Sequence, residues 1–227
     1  MKINLVLACL ILSLTAFANP VREPAAEAYI YNLYEELESL TGGNKPSFKL
    51  FENGLIGYYN LKAAAKPIEN EKLTLIDFSL SSNTKRMWVI DMKTNKILYH
   101  ELVAHGRNSG NQYATRFSNT RHSNQSSLGF YLTGENYTGK HGLSLRLDGM
   151  EKGFNDRARQ RAIVMHGASY VSDQFIKTNG RLGRSFGCPA VSLKSYKKIV
   201  RELAKRSVLY ICHWAAVLSL EAGLTVL

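Results

Sequence analysis

Arg161-Ala162-Ile163-Val164-Met165-His166-Gly167 is the stretch on which the reading of this chain turns. Ala162 to Met165 are all apolar, Ile163 and Val164 are β-branched, and the run ends in His-Gly, so it predicts a buried strand delivering a histidine at its end. A second segment follows, Gly183-Arg184-Ser185-Phe186-Gly187-Cys188-Pro189, a glycine-punctuated turn carrying a cysteine. Its residue types suit a presented nucleophile. Gly187 has no Cβ, so a carbonyl can approach the backbone closely. Pro189 holds Cys188 in extended geometry and so fixes the direction of the sulfur. A free thiol is only a few per cent ionised at neutral pH, roughly, and an imidazole that takes its proton turns it into a nucleophile. We therefore read Cys188 as nucleophile and His166 as its base, with the Gly187 and Cys188 N–H groups as oxyanion donors.

Each of these residues also has a plainer reading. Histidines beside glycine are common structural residues, and His105-Gly106 and His141-Gly142 compete with His166 for the role of base. His100 and His122 stand beside no nucleophile motif. Zinc is disfavoured because the short ligand spacings of metallohydrolases are missing. Cys188 and Cys212 would by default be a disulfide pair in an exported protein.

Export is what the first residues predict. Lys2 precedes the apolar run Ile3 to Leu14, and Ala16-Phe17-Ala18 fits a small-x-small cleavage site that would leave Asn19 as the new N-terminus. Residues 1–18 are thus read as a signal peptide, and periplasm or cell wall as the destination. Val6-Leu7-Ala8-Cys9 resembles a lipobox, but too few residues precede Cys9 for a full signal. The net charge of +11 is spread along the chain, with no nucleic-acid motif. That distribution suits the anionic polymers of a cell envelope, with peripheral association, better than nucleic acid.

Between these landmarks the chain divides in two. Residues 19–70 predict a helical region, with helices over Pro24–Leu40 and Lys45–Ala65 separated by Thr41-Gly42-Gly43-Asn44. Gly54 and Gly57 weaken the second. Residues 71–211 predict strands at Lys72–Phe78, Arg86–Asp91, Lys96–Ala104, Ser127–Leu132, Leu143–Leu147, Arg161–Met165 and Val208–Ile211, with a hairpin at Asp91–Asn95. A helix over Ser192–Arg206, capped by Ser192, precedes the last strand. The long polar segment Gly106–Ser126 is unusual for a compact domain unless it has a task. Residues 212–227 form an apolar tail, read as strand end plus packed helix.

The ordered segments Val103-Ala104-His105-Gly106, Ser127-Leu128-Gly129-Phe130-Tyr131, Lys140-His141-Gly142, Arg161–Gly167 and Gly183–Val191 together resemble the murein L,D-transpeptidases, the YkuD-like catalytic domain. The likeness spans about Leu73 to Ile211. It departs from the family pattern at Phe186, where classical members carry histidine, and at Pro189-Ala190, where they carry an apolar residue and then Arg or Asn. Papain-like and NlpC/P60-like peptidases place Cys before His, the reverse of the order here. The resemblance implies a mostly β sandwich or barrel-like domain with a few helices, after an N-terminal helical appendage. It implies acyl transfer at the diaminopimelate–D-alanine bond of peptidoglycan tetrapeptide stems, either to an amine, giving 3-3 cross-links, or to water, as in an L,D-carboxypeptidase. A non-catalytic wall-binding domain with a Cys188–Cys212 disulfide is the remaining alternative. The implied roles are Gly167 carbonyl as orienter of His166, and Arg184, Ser185 and Tyr131 as substrate-binding residues. Arg181 is read as surface and Phe186 as packing. No cofactor or metal is needed, and the chain is expected to act as a monomer.

Overall fold

The computed structural model describes residues 24–214 apart from 41, 43 and 65. The signal-peptide reading of residues 1–18 and the tail beyond Trp214 lie outside them. In chain order the elements are α1 (Pro24–Glu35), β1 (Glu38–Ser39), α2 (Phe48–Ala63), β2 (Lys72–Asp77), β3 (Met87–Asp91), β4 (Lys96–Glu101) and β5 (Val103–Ala104). Then come β6 (Gly129–Gly139), β7 (Gly142–Gly149), β8 (Val164–Ala168), α3 (Asp173–Asn179), β9 (Ala190–Ser192), α4 (Tyr196–Leu203) and β10 (Val208–Cys212). The strands form one mixed sheet in the order β1-β4-β3-β2-β10-β6-β7-β8-β9-β5. The expected mostly β architecture is what forms.

Alternation builds two main cores from one sheet, beside a smaller cluster of Leu102, Ala104, Ala168, Val171, Leu182 and Ala190. Met87 and Val89 of β3, and Leu209 and Ile211 of β10, face one side with Ile199, Val200 and Leu203 of α4. Trp88 and Ile90, and Val208 and Tyr210, face the other side with Leu50, Phe51, Leu55 and Tyr58 of α2. The first core also holds Val103 of β5 and Val191 of β9. Strands lie about 4.8 Å apart, so β3 and β5 would be separated by roughly 34 Å in a flat sheet. They share a core because the sheet curls on itself, giving the sandwich-like form.

Several boundaries differ from expectation for local reasons. α1 ends at Glu35 because Glu38 and Ser39 pair in parallel with Lys96 and Ile97. α2 starts where the Ser47 side chain accepts the Leu50 N–H. Its two glycines are contact points: a Cβ on Gly54 would meet Leu75, and one on Gly57 would meet the Phe130 ring. α4 starts at Tyr196 rather than after Ser192, which ends β9. β8 begins at Val164 and runs to Ala168, so His166 is mid-strand rather than terminal. α3, capped by Ser172 and closed by Gly180 in the left-handed region, was not expected. Segment 106–126 is a long irregular loop, as its composition indicated.

Candidate active site

β8 and β9 run parallel, with His166 opposite Ala190 and Gly167 opposite Val191. Counting back along that register puts Cys188 level with Val164, and the Val164 N–H indeed points at Sγ, 3.5 Å away. Sγ lies 3.8 Å from the Ala162 carbonyl. Cys188 therefore stands one strand across and two residues behind His166, on a partly exposed site. Burial pushes its thiol up from the ordinary 9.0, opposed by the Val164 N–H and by the charges of Arg161 and Lys140. Both Cys188 and Cys212 are free, and Cys212 is buried at the end of β10, which overturns the disulfide reading.

The loop that carries Cys188 is held by its own serine. Buried Ser185 donates through Oγ to the Cys188 carbonyl at 2.6 Å and accepts the Gly187 N–H at 3.0 Å. Gly187 has φ +124°, and a Cβ there would meet the Gln125 carbonyl at 2.8 Å, so glycine is required. Two expectations are corrected. The Gly187 N–H is already committed to Ser185 and is not a free oxyanion donor, whereas the Cys188 N–H has no protein acceptor among the described residues. Ser185 itself lies beneath the loop as a support and does not line a cleft.

His166 is buried, and its Nδ1 lies 3.0 Å from the Gly167 carbonyl. A carbonyl only accepts, so Nδ1 carries the proton and Nε2 presents a lone pair. Burial lowers the imidazole's pKa from the ordinary 6.5; the Gly167 bond opposes that, and His141 and Lys140 reinforce it. Gly167 has its own spatial reason: a Cβ there would meet the Tyr196 ring at 2.5 Å. The exposed His141 ring stacks on His166 with centroids 4.4 Å apart.

Of the two competing histidines, His141 lies against His166 itself, whereas His105 is set apart by geometry. His105 is buried with Nδ1 2.8 Å from Arg86 Nη2, so Nδ1 accepts and the ring is neutral, its pKa driven down to about 3 by burial and by Arg86. His100 stacks on Trp88 with Nε2 on the Lys85 carbonyl. Both are structural. Tyr131 is fully buried, its hydroxyl donating to the Ser127 carbonyl, so it is core and not a substrate contact. Arg184 is drawn into the scaffold: its Nη1 donates to the carbonyls of Arg107 and Gly110 and to Asn111 Oδ1. Phe186 is 60% exposed, not packed, with the Arg107 guanidinium 4.7 Å over its ring.

Sequence reasoning passed over Arg161, treated only as the first residue of a strand. Its guanidinium donates to the Ser118 and Gln125 carbonyls and to the hydroxyls of Ser123 and Ser127. It thus pins the long loop beside the thiol. Beyond it a cleft opens, lined by Arg121, His122, Asn124, Gln160, Ala162 and Phe186 among others. The polar loop and the His-containing strand were each visible in the sequence, but nothing in the sequence joined them. Among the described residues no three His, Cys, Asp or Glu side chains gather as a metal site. No helix among them is long and apolar enough to cross a membrane.

A thiol on a glycine-supported loop, one strand from an imidazole of fixed tautomer, in a curled mostly β domain, is the framework of a thiol–histidine site. The L,D-transpeptidase catalytic domain family matches residues 43–212, and the chain belongs to that family. No curated protein sequence matches it. Among solved structures it is similar to an L,D-transpeptidase from Mycobacterium smegmatis, at 12% identity over 63% of this chain and 58% of that one, TM-score 0.38. The helical cell shape determining protein Pgp2 from Campylobacter jejuni is 14% identical over 65% of this chain and 48% of that one, TM-score 0.41. An L,D-transpeptidase from Xylanimonas cellulosilytica is 13% identical over 84% of this chain and 94% of that one, TM-score 0.35. The chain thus spans less than two thirds of the length of the first two.

Proposed function

We propose that the chain is an exported cysteine acyltransferase acting on peptidoglycan stem peptides. The thiol of Cys188 attacks the carbonyl of a diaminopimelate–D-alanine bond in a tetrapeptide stem, and His166 Nε2 takes the thiol proton. The Cys188 N–H receives the oxyanion. His166 then protonates the departing D-alanine nitrogen. The thioester passes to an amine, forming a 3-3 cross-link, or to water. The observation that carries the reading is the Nδ1 contact of His166 with the Gly167 carbonyl at 3.0 Å, which leaves Nε2 as an acceptor. Because burial raises the thiol and lowers the imidazole, the pair rests uncharged, and proton transfer accompanies attack. We place the protein in the periplasm or cell wall from its N-terminal pattern, peripherally associated with the envelope and working as a monomer.

Purified tetrapeptide muropeptides provide the test. Release of one D-alanine and a mass adduct on Cys188, both lost in Cys188→Ala, support the reading. Cleavage of the terminal bond of pentapeptide stems, or undiminished turnover by Cys188→Ala, would overturn it. The ratio of cross-linked to hydrolysed product separates transpeptidase from carboxypeptidase.

A further inference from the structure

We propose that the outward face of α4 is a docking surface for anionic phospholipid headgroups, holding the domain against a membrane without inserting into it. The assignment rests on the export and envelope association proposed above and is independent of the chemistry at Cys188.

The sequence of α4 sorts its charges to one side. Ile199, Val200 and Leu203 are buried in the core, so the opposite stripe faces water. From residue 193 to residue 205 the exposed side chains are Leu193, Lys194, Lys197, Lys198, Arg201 and Lys205. Every one but Leu193 is a cation. The nearby carboxylates are already engaged. Glu202 pairs with Lys72 at 3.5 Å. Half-buried Glu101 is shared between Lys85 and Lys194, with Asp173 also beside it. Lys197, Lys198, Arg201 and Lys205 have no carboxylate partner among the described residues. An ordinary surface interleaves both signs; a face of one sign is a field that draws an oppositely charged partner.

Three features select a lipid surface over a linear polyanion. The cations sit on the convex back of a helix, and no aromatic or amide side chain is exposed among them to track a chain. Four of the five are lysines, compact point charges suited to a diffuse layer of phosphates, rather than the guanidinium forks that read phosphates one by one. Leu193, 52% exposed beside Lys194, adds an apolar contact at the headgroup boundary. Because the apolar stripe of α4 is committed to the core, the helix stays at the surface and the contact is mainly electrostatic. The Tyr196 ring of α4 lies directly against Gly167 of β8, so a docked α4 also fixes how β8 is turned relative to the membrane.

Co-sedimentation of the purified protein with vesicles tests the face. The protein should bind vesicles of equal phosphatidylglycerol and phosphatidylcholine, and not pure phosphatidylcholine, at about 0.1 M salt. About 1 M salt should release it, because the screening length falls from about 10 Å to about 3 Å. Each cation at an anionic surface contributes roughly fivefold in affinity, so Lys197→Gln/Lys198→Gln/Arg201→Gln should weaken binding about 100-fold and Lys198→Glu alone about 25-fold. Arg116→Gln/Lys152→Gln/Arg157→Gln removes as many exposed charges from two other loops and should cost less than about threefold. All three variants should keep the wild-type Tm and release D-alanine from soluble tetrapeptide stems at the wild-type rate. Equal losses in the two triple variants would reduce the effect to net charge and overturn the docking face. Binding to soluble polyphosphate that is lost in the α4 variant, with no binding to anionic vesicles, would overturn the lipid in favour of a polymer. Vesicle binding that depends on α4, in a protein that releases no D-alanine, would support the face and overturn the acyl transfer. The same binding by a protein that fractionates with the cytoplasm would support the face and overturn the export reading.

Discussion

Ser185→Ala removes one hydroxyl that does two jobs. In the folded protein Oγ donates to the Cys188 carbonyl at 2.6 Å and accepts the Gly187 N–H at 3.0 Å. Both Ser185 and Gly187 are buried, so water does not simply replace the lost partner. Leaving a buried polar group unsatisfied costs about 1–3 kcal/mol each, so two give roughly 2–4 kcal/mol after partial relaxation. For a chain of this size that is a fall in Tm of roughly 5–15 °C. The same loss frees the loop that aims Sγ, and a misplacement of about 1 Å at a reacting atom costs on the order of 100-fold in rate. Thermal unfolding and acyl-enzyme formation on a tetrapeptide stem measure the two effects separately. An unchanged Tm together with an unchanged rate of acylation would refute the role assigned to this serine.

The alkylation rate of Cys188 should still be climbing at pH 9, because burial raises the thiol's pKa above the ordinary 9.0 and the thiolate fraction is still growing there; a plateau reached by pH 6 would mean a resting ion pair instead. The pH profile of acylation should rise through a pKa below 6.5 as His166 loses its proton, and should not fall again in the neutral range, since thiol and imidazole are both already neutral there. Gly57→Ala gains about 1 kcal/mol of helix propensity but drives a methyl into the Phe130 ring, an overpacking cost of about 1–3 kcal/mol, so its Tm should fall. Arg86→Lys keeps the charge but cannot serve the Leu80 and Val103 carbonyls and His105 Nδ1 together, and denaturant titration should show a loss of about 3 kcal/mol or more.

Much of this fold could be read from alternation alone. β2, β3 and β10 are short apolar runs bounded by turn residues, and their positions follow expectation to within a residue or so. Glycines in α2 obscured that helix because propensity counts them as breakers, while the fold uses them to seat the helix against Leu75 and Phe130. In the site, the sequence singles out Cys188 and His166 because each carries its own local punctuation, and the β8–β9 register sets their segments side by side. What was illegible was occupancy. Sequence suggested a free Gly187 N–H, a cleft-facing Tyr131 and an anion-binding Arg184, and in each case another part of the protein takes up the group first.

That occupancy ties the long polar segment to the rest of the domain at many points. Ser126 Oγ accepts the Gly106 N–H and donates to the Gly187 carbonyl. The Ser185 N–H donates to the His105 carbonyl, and the Arg107 N–H to the Ser185 carbonyl. Arg161 ties Ser118, Ser123 and Gln125 to the turn before β8. Beneath them, fully buried Arg86 bonds His105 from the sheet side. The Cys188 loop therefore hangs on the sheet through the long loop as much as through β9. A loop laced at both edges costs conformational entropy to order, and that cost is offset by groups which, left free, would be unsatisfied and buried. The groups around Sγ, from Ser185 and Ser126 to Arg161, are thus already bonded within the protein.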